Sequence, residues 1–371
     1  MAGGSAQNLT EMAPGVVDRV TLLQITKERV EQMAGWSDVI ARVAGLKTRL
    51  LSADQLRAMA RSRDLAGLAD GLEQAGFPVR VTVMGTSPAA LDLAVRRQAG
   101  TAFRVLGRWC GSRADELAVI FEDEDRRSLR ILLRGLFQGV APATRLSGLI
   151  PTPSLPERAL EELAAQQNAR DLAGLLTIWG SPFGEPLLQE LGPAQPDLFR
   201  VELQLDRTWA TRAQRAGVSR DRAMRDFART SIDFINVRSA LLLALQGTDV
   251  DVDDMFLSGG GCLRAHQFRL AALAGGVEAT LEVLARGMAA SSFADVLRMH
   301  GDLSTLEEAL LVEHISHFGR LARREPTSLA PVLTYVLRLR KQVIDLRRLV
   351  WGIALDVPRP SLLRDVVGVG S

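Results

Sequence analysis

Two histidines three residues apart, in Glu313-His314-Ile315-Ser316-His317, are the nearest approach in this chain to a metal-binding signature. On a helix that spacing puts both imidazoles on one face, where they can share a cation. A zincin needs its glutamate between the histidines of HExxH, and here the glutamate precedes both. With only His266 and His300 besides, the pair reads as a surface or interface feature. Gly259-Gly260-Gly261 ahead of a helix could offer amide groups to a phosphate. A phosphate loop also needs GK[ST], which none of the three lysines, Lys27, Lys47 and Lys341, supplies. The glycines therefore read as a flexible turn. Asp249, Asp251, Asp253 and Asp254 alternate in part like a calcium loop but lack its glycine and distant glutamate, and read as a solvated acidic turn that begins a helix. Cys110 and Cys262 are isolated thiols without ligand or disulfide spacing.

Asp233, Asn236 and Arg238 sit in an otherwise apolar helical run between Ala223 and Ala272. Polar groups there must pair or face water. Steps of about 100° per residue put Asp233 and Asn236 on one face and Arg238 well round from them. Catalysis would require a nucleophile or base beside them that the sequence does not offer. They are candidates for lining a hydrated funnel or tying one bundle to the next, and no catalytic, cofactor-binding or metal-ligating residue is expected.

The same polar pattern recurs. Asp125, Ser128 and Arg130 match Asp233, Asn236 and Arg238, and Gln342, Asp345 and Arg347 make a third copy at nearly the same interval. After the first two copies a glycine-containing turn (Ser147-Gly148; Gly260-Gly261) precedes another helix. The third runs out at the C-terminus, where the N-terminal segment WSDVIARVAGLKTRLLSADQLRAM can supply the missing half. The expected architecture is all-α: three similar helical bundles, pseudo-threefold and funnel-like. A terminal module of residues 34–118 plus 331–371 is followed by modules 119–226 and 227–330, with an extension of residues 1–33.

The elements that carry these residues are nearly all helical. Residues 1–12 read as disordered, and Val16 to Met33 has a helical apolar period. Capping boxes are expected at Ser52/Gln55, Ser154/Glu157 and Ser304/Glu307. Phe77 to Met84 reads as an extended connection, and Pro142 to Pro156, with four prolines, as a loop. The acidic run Glu122–Asp125 is expected to complement the positive end of a helix dipole. Asp197 to Ala216 is expected to be helix, as is a last long helix from Pro331 that Pro358 and Pro360 end.

Composition excludes several classes. A net charge of +2, from 45 basic and 43 acidic residues, is too balanced to argue for nucleic acid. The start lacks a signal-peptide pattern, and the longest apolar runs are far shorter than a membrane span. The expected protein is soluble, or peripheral to a membrane through another protein. Arginines are dense in Arg42 to Arg63 and in Arg338 to Arg348, where Arg338, Arg340 and Lys341 are candidates for docking an acidic partner.

WSDVIARVAGLKTRLLS, the Asp233-x-x-Asn236-x-Arg238 helix followed by FLSGGGCL, and LTYVLRLRKQVIDLRRLVWGIAL resemble the C subunit of archaeal and bacterial A/V-type ATPases, equivalent to the d subunit of eukaryotic V-ATPases. The resemblance runs in order from Trp36 to Val367. Arg340 and Gln342 stand where that family usually carries acids. The resemblance implies a non-catalytic central-stalk component, cytoplasmic and peripheral to the membrane, with no cofactor. It would couple central shaft subunits of D and F type to the membrane proteolipid ring during proton or sodium ion transport. A stand-alone helical scaffold or regulatory adaptor descended from such a component is the second reading, and a metal-dependent helical enzyme using His314 and His317 the third.

Overall fold

A computed structural model describes residues 35–79, 86–192, 196–216, 221–246, 251–299, 301 and 303–367. The expectations for residues 1–12, for Val16 to Met33 and for most of the Phe77 to Met84 connection lie outside those residues, as do Asp249 and His300. Among the described residues the fold is all-α, with seventeen α-helices and no strand. They are α1 (Ser37–Lys47), α2 (Ala53–Ala60), α3 (Leu65–Gln74), α4 (Pro88–Cys110), α5 (Ala114–Phe137), α6 (Pro142–Arg145), α7 (Glu157–Ala164), α8 (Ala169–Ile178) and α9 (Gly184–Glu190). There follow α10 (Leu198–Ala216), α11 (Arg222–Gln246), α12 (Ala265–Ala272), α13 (Val277–Gly287), α14 (Phe293–Met299), α15 (Leu303–Arg324), α16 (Ala330–Ala354) and α17 (Arg359–Val367).

Local chemistry sets many of these ends. Ser52 and Gln55 form the expected capping box of α2, with Ser52 Oγ accepting from the Gln55 amide and Gln55 Oε1 from that of Ser52. Asp64 and Asn168 cap the starts of α3 and α8, each accepting from an amide in the first turn. Two other expected caps fail. Pro156 is the residue before α7, and Ser154 instead turns its hydroxyl to Asp125. Helix α15 begins at Leu303, so Ser304 lies inside its first turn. The loop from Pro142 to Pro156 contains the short helix α6. The acidic run Glu122–Asp125 is not at a helix start either. Helix α5 begins eight residues earlier than Glu122, at Ala114, with Asp115 and Glu116 in its first turn, so the run lies mid-helix and buried.

Six long helices form a closed circuit of packing. In the order α4, α5, α10, α11, α15, α16 each contacts the next, and α16 returns to α4. Helix α16 is the hub. It also packs on α1, α2, α3, α11 and α17, and it is buried on nearly every side from Ala330 to Leu337. Short helices fill the outside between the long ones. Helices α2, α7 and α12 each have 8 residues, and each is joined to a second short helix, of 10, 10 and 11 residues in α3, α8 and α13. Asp125 stands as far before Glu157, the first residue of α7, as Asp233 stands before Ala265, the first of α12. The short helices beside α16 come from the other end of the chain, and α17 packs on α2.

The interior joins apolar packing to buried charge. Trp209, wholly buried, donates its indole N–H to the Val119 carbonyl at 3.0 Å and lies 5.2 Å beneath the Arg126 guanidinium. Arg126 pairs with Asp123 on its own helix and with Asp206 on α10. Removing one partner of such a buried pair strands the other charge away from water. Asp206→Ala is therefore expected to cost about 3–5 kcal/mol of unfolding free energy in urea titrations. Arg158→Ala breaks only an exposed pair with Glu162 and is expected to cost about 0.3–0.5 kcal/mol.

Candidate central socket

Four of these helices, α5, α11, α15 and α16, wall a cavity of about 250 Å³. Its apolar side includes Phe234, Leu306 and Leu311, and its polar side is six arginines, Arg126, Arg127, Arg130, Arg238, Arg340 and Arg348, against Glu307 and Glu308. Of the candidate residues expected from the sequence, Arg130, Arg238 and Arg340 come together here. Arg126, Arg127 and Arg348, with Glu202 and Asp206 behind them, were not expected, because their spacing on different helices carries no motif.

Behind the arginines runs a continuous set of ion pairs. Arg340 of α16 donates to Glu124 at 2.9 Å and Asp123 at 2.8 Å on α5. Asp123 also takes Arg126, which passes to Asp206 on α10. Arg130 reaches Asp206 and Glu202, and Arg238 of α11 reaches Glu202 at 3.0 Å. Burial alone would raise the Asp123 carboxyl, but Arg127, Arg340 and Arg126 override it and hold the group well below the usual aspartate range. Burial likewise works against Asp206, and Arg130, Arg126 and Arg238 lower it. Arg340 thus turns its Nε and Nη2 to the protein's own carboxylates, and Lys341 bonds Glu308 and Asp345. Of the three basic residues expected to dock an acidic partner, only Arg338 is exposed.

The repeated polar positions act as staples between a long helix and the loop that follows it. Asp233 accepts from the amides of Gly261 and Cys262, both at 2.9 Å, and of Leu263 at 3.2 Å. The glycine turn therefore does cradle an anion, and the anion is the protein's own carboxylate. Burial outweighs these amides and raises the Asp233 carboxyl. Asn236 clamps Leu257, donating to its carbonyl at 2.8 Å and accepting from its amide at 2.9 Å. Asp125 accepts from the hydroxyls of Thr152 and Ser154. In the third copy Gln342 accepts from the Leu51 amide at 2.7 Å, stapling the C-terminal hub helix to the N-terminal segment. Arg347 crosses to Asp92 at 2.9 Å and to Ser147, its guanidinium lying over Gly148, whose φ of +84 favours glycine.

His314 is not a surface residue, since its ring is 4% exposed and stacks parallel on Phe227 at 5.7 Å with Phe234, Phe293 and Phe318 around it. Burial, with His317 and Arg340 near, pulls its pKa down to about 3. His317 is half-buried against Phe293 and Phe318. No group of three or more metal-ligating side chains occurs among the described residues. Asp253 and Asp254 form a 3₁₀ turn, and Asp253 pairs with Arg269.

The family model described as ATP synthase (C/AC39) subunit matches residues 39–363. Relatives named as the C subunit of A-type ATP synthases include one from Haloferax volcanii, 26% identical over 85% of this chain and 92% of its own length. That of Halobacterium salinarum is 24% identical over 90% of this chain and 98% of its own length. That of Thermococcus gammatolerans is 22% identical over 92% of each.

Two outcomes follow from the staples. A methyl group on Gly260 would run into Asp233 Oδ1. Gly260→Ala and Asp233→Ala are each expected to cost about 1–3 kcal/mol, and the double variant to cost less than their sum by more than about 0.5 kcal/mol in a double-mutant cycle. For Asp125, burial outweighs the two hydroxyls and raises the carboxyl from 3.8 to about 7. An aspartate raised on folding binds a proton in the native state, so its contribution is full below 3.8 and is lost as the pH rises through about 7. Measured by denaturation, Asp125→Asn should gain on the natural protein as pH climbs through that window, and an unchanged difference would refute the assignment.

Proposed function

The chain belongs to the ATP synthase (C/AC39) subunit family, and we propose that it is a non-catalytic rotor component that couples the central shaft to the membrane proteolipid ring of an A/V-type rotary ATPase. Its partners would be shaft subunits of D and F type on one side and the ring on the other, with proton or sodium ion as the transported species. The carrying observation is the closed circuit of six long helices around an arginine-lined cavity in a chain of this family. A part that passes torque needs a body whose segments cannot slide and a socket for the driving shaft. Staples between long helices and loops, and a hub helix packed against the first and last described helices, supply the first. The open side of the cavity, where Arg127 and Glu307 are exposed, would face the shaft and supply the second.

In this reading the chain forms three similar helical units about a pseudo-threefold axis, 34–118 plus 331–371, 119–226 and 227–330. Arg130, Arg238 and Arg340 hold the socket wall. Asp125, Asp233, Asn236, Asp345 and Arg347 hold the units in shape, and Arg338 is available to an acidic partner. No helix among the described residues is long and apolar enough to cross a membrane, so attachment to the bilayer would run through the ring.

Reconstitution tests the proposal. With the chain omitted, ion pumping by an assembled complex is expected to fall at least about tenfold while nucleotide hydrolysis by the catalytic head continues, a separation of chemistry from transport. Full pumping in its absence would sink the coupling role. Arg338→Glu, on an exposed position, is expected to weaken assembly most at low salt.

A further inference from the structure

The cavity's arginines are only partly used by the protein. Arg127 bonds Asp123 through Nε alone, and both of its terminal nitrogens carry no protein acceptor. Arg130 and Arg238 hydrogen-bond through Nη2, and Arg340 through Nε and Nη2, so Nη1 of each is likewise left over. These donors come from three helices, α5, α11 and α16, and meet at one space. A second observation concerns the same wall. Nε of Arg126 and Arg238 and Nε2 of His314 are buried with no hydrogen-bond partner, and His314 is 4% exposed. Buried polar groups in a finished structure are normally satisfied.

The lining carboxylates do not fill this need. Glu308 is occupied by Arg348 at 2.6 Å and Lys341 at 3.1 Å, and Glu307 is exposed. Burial, with Arg238 and Arg126 close by, pulls the Arg130 guanidinium down to about 9 despite Asp206 and Glu202.

We propose that the central cavity is a binding site for a tetrahedral oxyanion of the phosphate or sulfate class, held by Arg127, Arg130, Arg238 and Arg340. Guanidinium forks match the oxygens of such anions. A carboxylate offers two oxygens to donors arriving from three helices, whereas a tetrahedral anion offers one to each. With a water occupying about 30 Å³ of liquid, the space of about 250 Å³ takes the anion together with several bridging waters. Bound there, it would complete the charge network at the point where α5, α11 and α16 meet. The site stands on this chain's own side chains and does not depend on the coupling role.

The test uses the full chain alone. Inorganic phosphate and sulfate are titrated at an ionic strength held constant with sodium chloride, with binding read by calorimetry and stability by thermal unfolding. The expected result is saturable binding of phosphate or sulfate and a saturable rise in unfolding temperature, neither of which chloride reproduces. Arg127→Gln, whose side chain is 44% exposed, should weaken binding about tenfold. Leu311→Trp should block it from the apolar wall without removing a charge. Arg158→Gln, on an exposed surface outside the cavity, should leave it unchanged. An equal response to chloride would reduce the effect to screening. An equal response to acetate would point to carboxylate recognition. Binding untouched by both Arg127→Gln and Leu311→Trp would place the anion elsewhere. Each of these three results overturns the proposal.

Discussion

Four arginines from two helices converge on Glu202 and Asp206 of α10: Arg126, Arg130 and Arg134 from α5, and Arg238 from α11. Arg340 of α16 extends the set through Asp123 and Glu124. Taking these charges out of water is costly, and an apolar core of similar volume would be about as stable. What the network contributes is register. A helix slipped by one turn would leave a carboxylate or a guanidinium buried without a partner, at about 3–5 kcal/mol for each. The apolar packing around Trp209 and along α16 supplies the bulk of the stability, while the ion pairs fix which arrangement of the long helices it stabilises.

The same logic extends outward. Each long helix that carries the repeated polar residues grips the segment leading into a short helix, through side chain to backbone bonds at Asp233 and Asn236, through hydroxyls at Asp125, and through the Leu51 amide at Gln342. The last of these joins residues from opposite ends of the chain. A force applied at the centre would therefore meet main-chain hydrogen bonds and packed helices in every direction, with no free chain end beside the hub helix among the described residues. This is a mechanical property of the described helices.

Much of this was legible in the sequence. Helical periodicity and caps foretold most helices, since both are local and depend on a few neighbouring residues. The interval between Asp125, Asp233 and Gln342 pointed to a recurring motif, and the Gln342–Leu51 bond joins the N-terminal segment to the C-terminal helix. The acids Glu122–Asp125 read in the sequence as lying near a helix start and lie mid-helix, because α5 begins well before them. Two other readings infer exposure from residue type. Arg340 and Lys341 look like a solvated surface in a one-dimensional string, yet Arg340 is buried against Asp123 and Glu124 and Lys341 is partly buried against Glu308 and Asp345. His314 looks like a ligand or surface residue and is instead packed among four phenylalanines. Pairing across helices, as between Arg126 and Asp206, has no sequence period, so the cavity they help to enclose was visible only once the helices were placed.

The central claim is that the shaft seats over the open side of the arginine-lined cavity walled by α5, α11, α15 and α16. Its most direct test is a photoreactive amino acid in place of Ile344, which lines the cavity from α16, followed by illumination of the assembled complex and identification of the crosslinked chain. Crosslinks to the end of a shaft component are the expected result. Crosslinks confined to this chain or to the membrane ring, in a complex that still pumps ions, would contradict it.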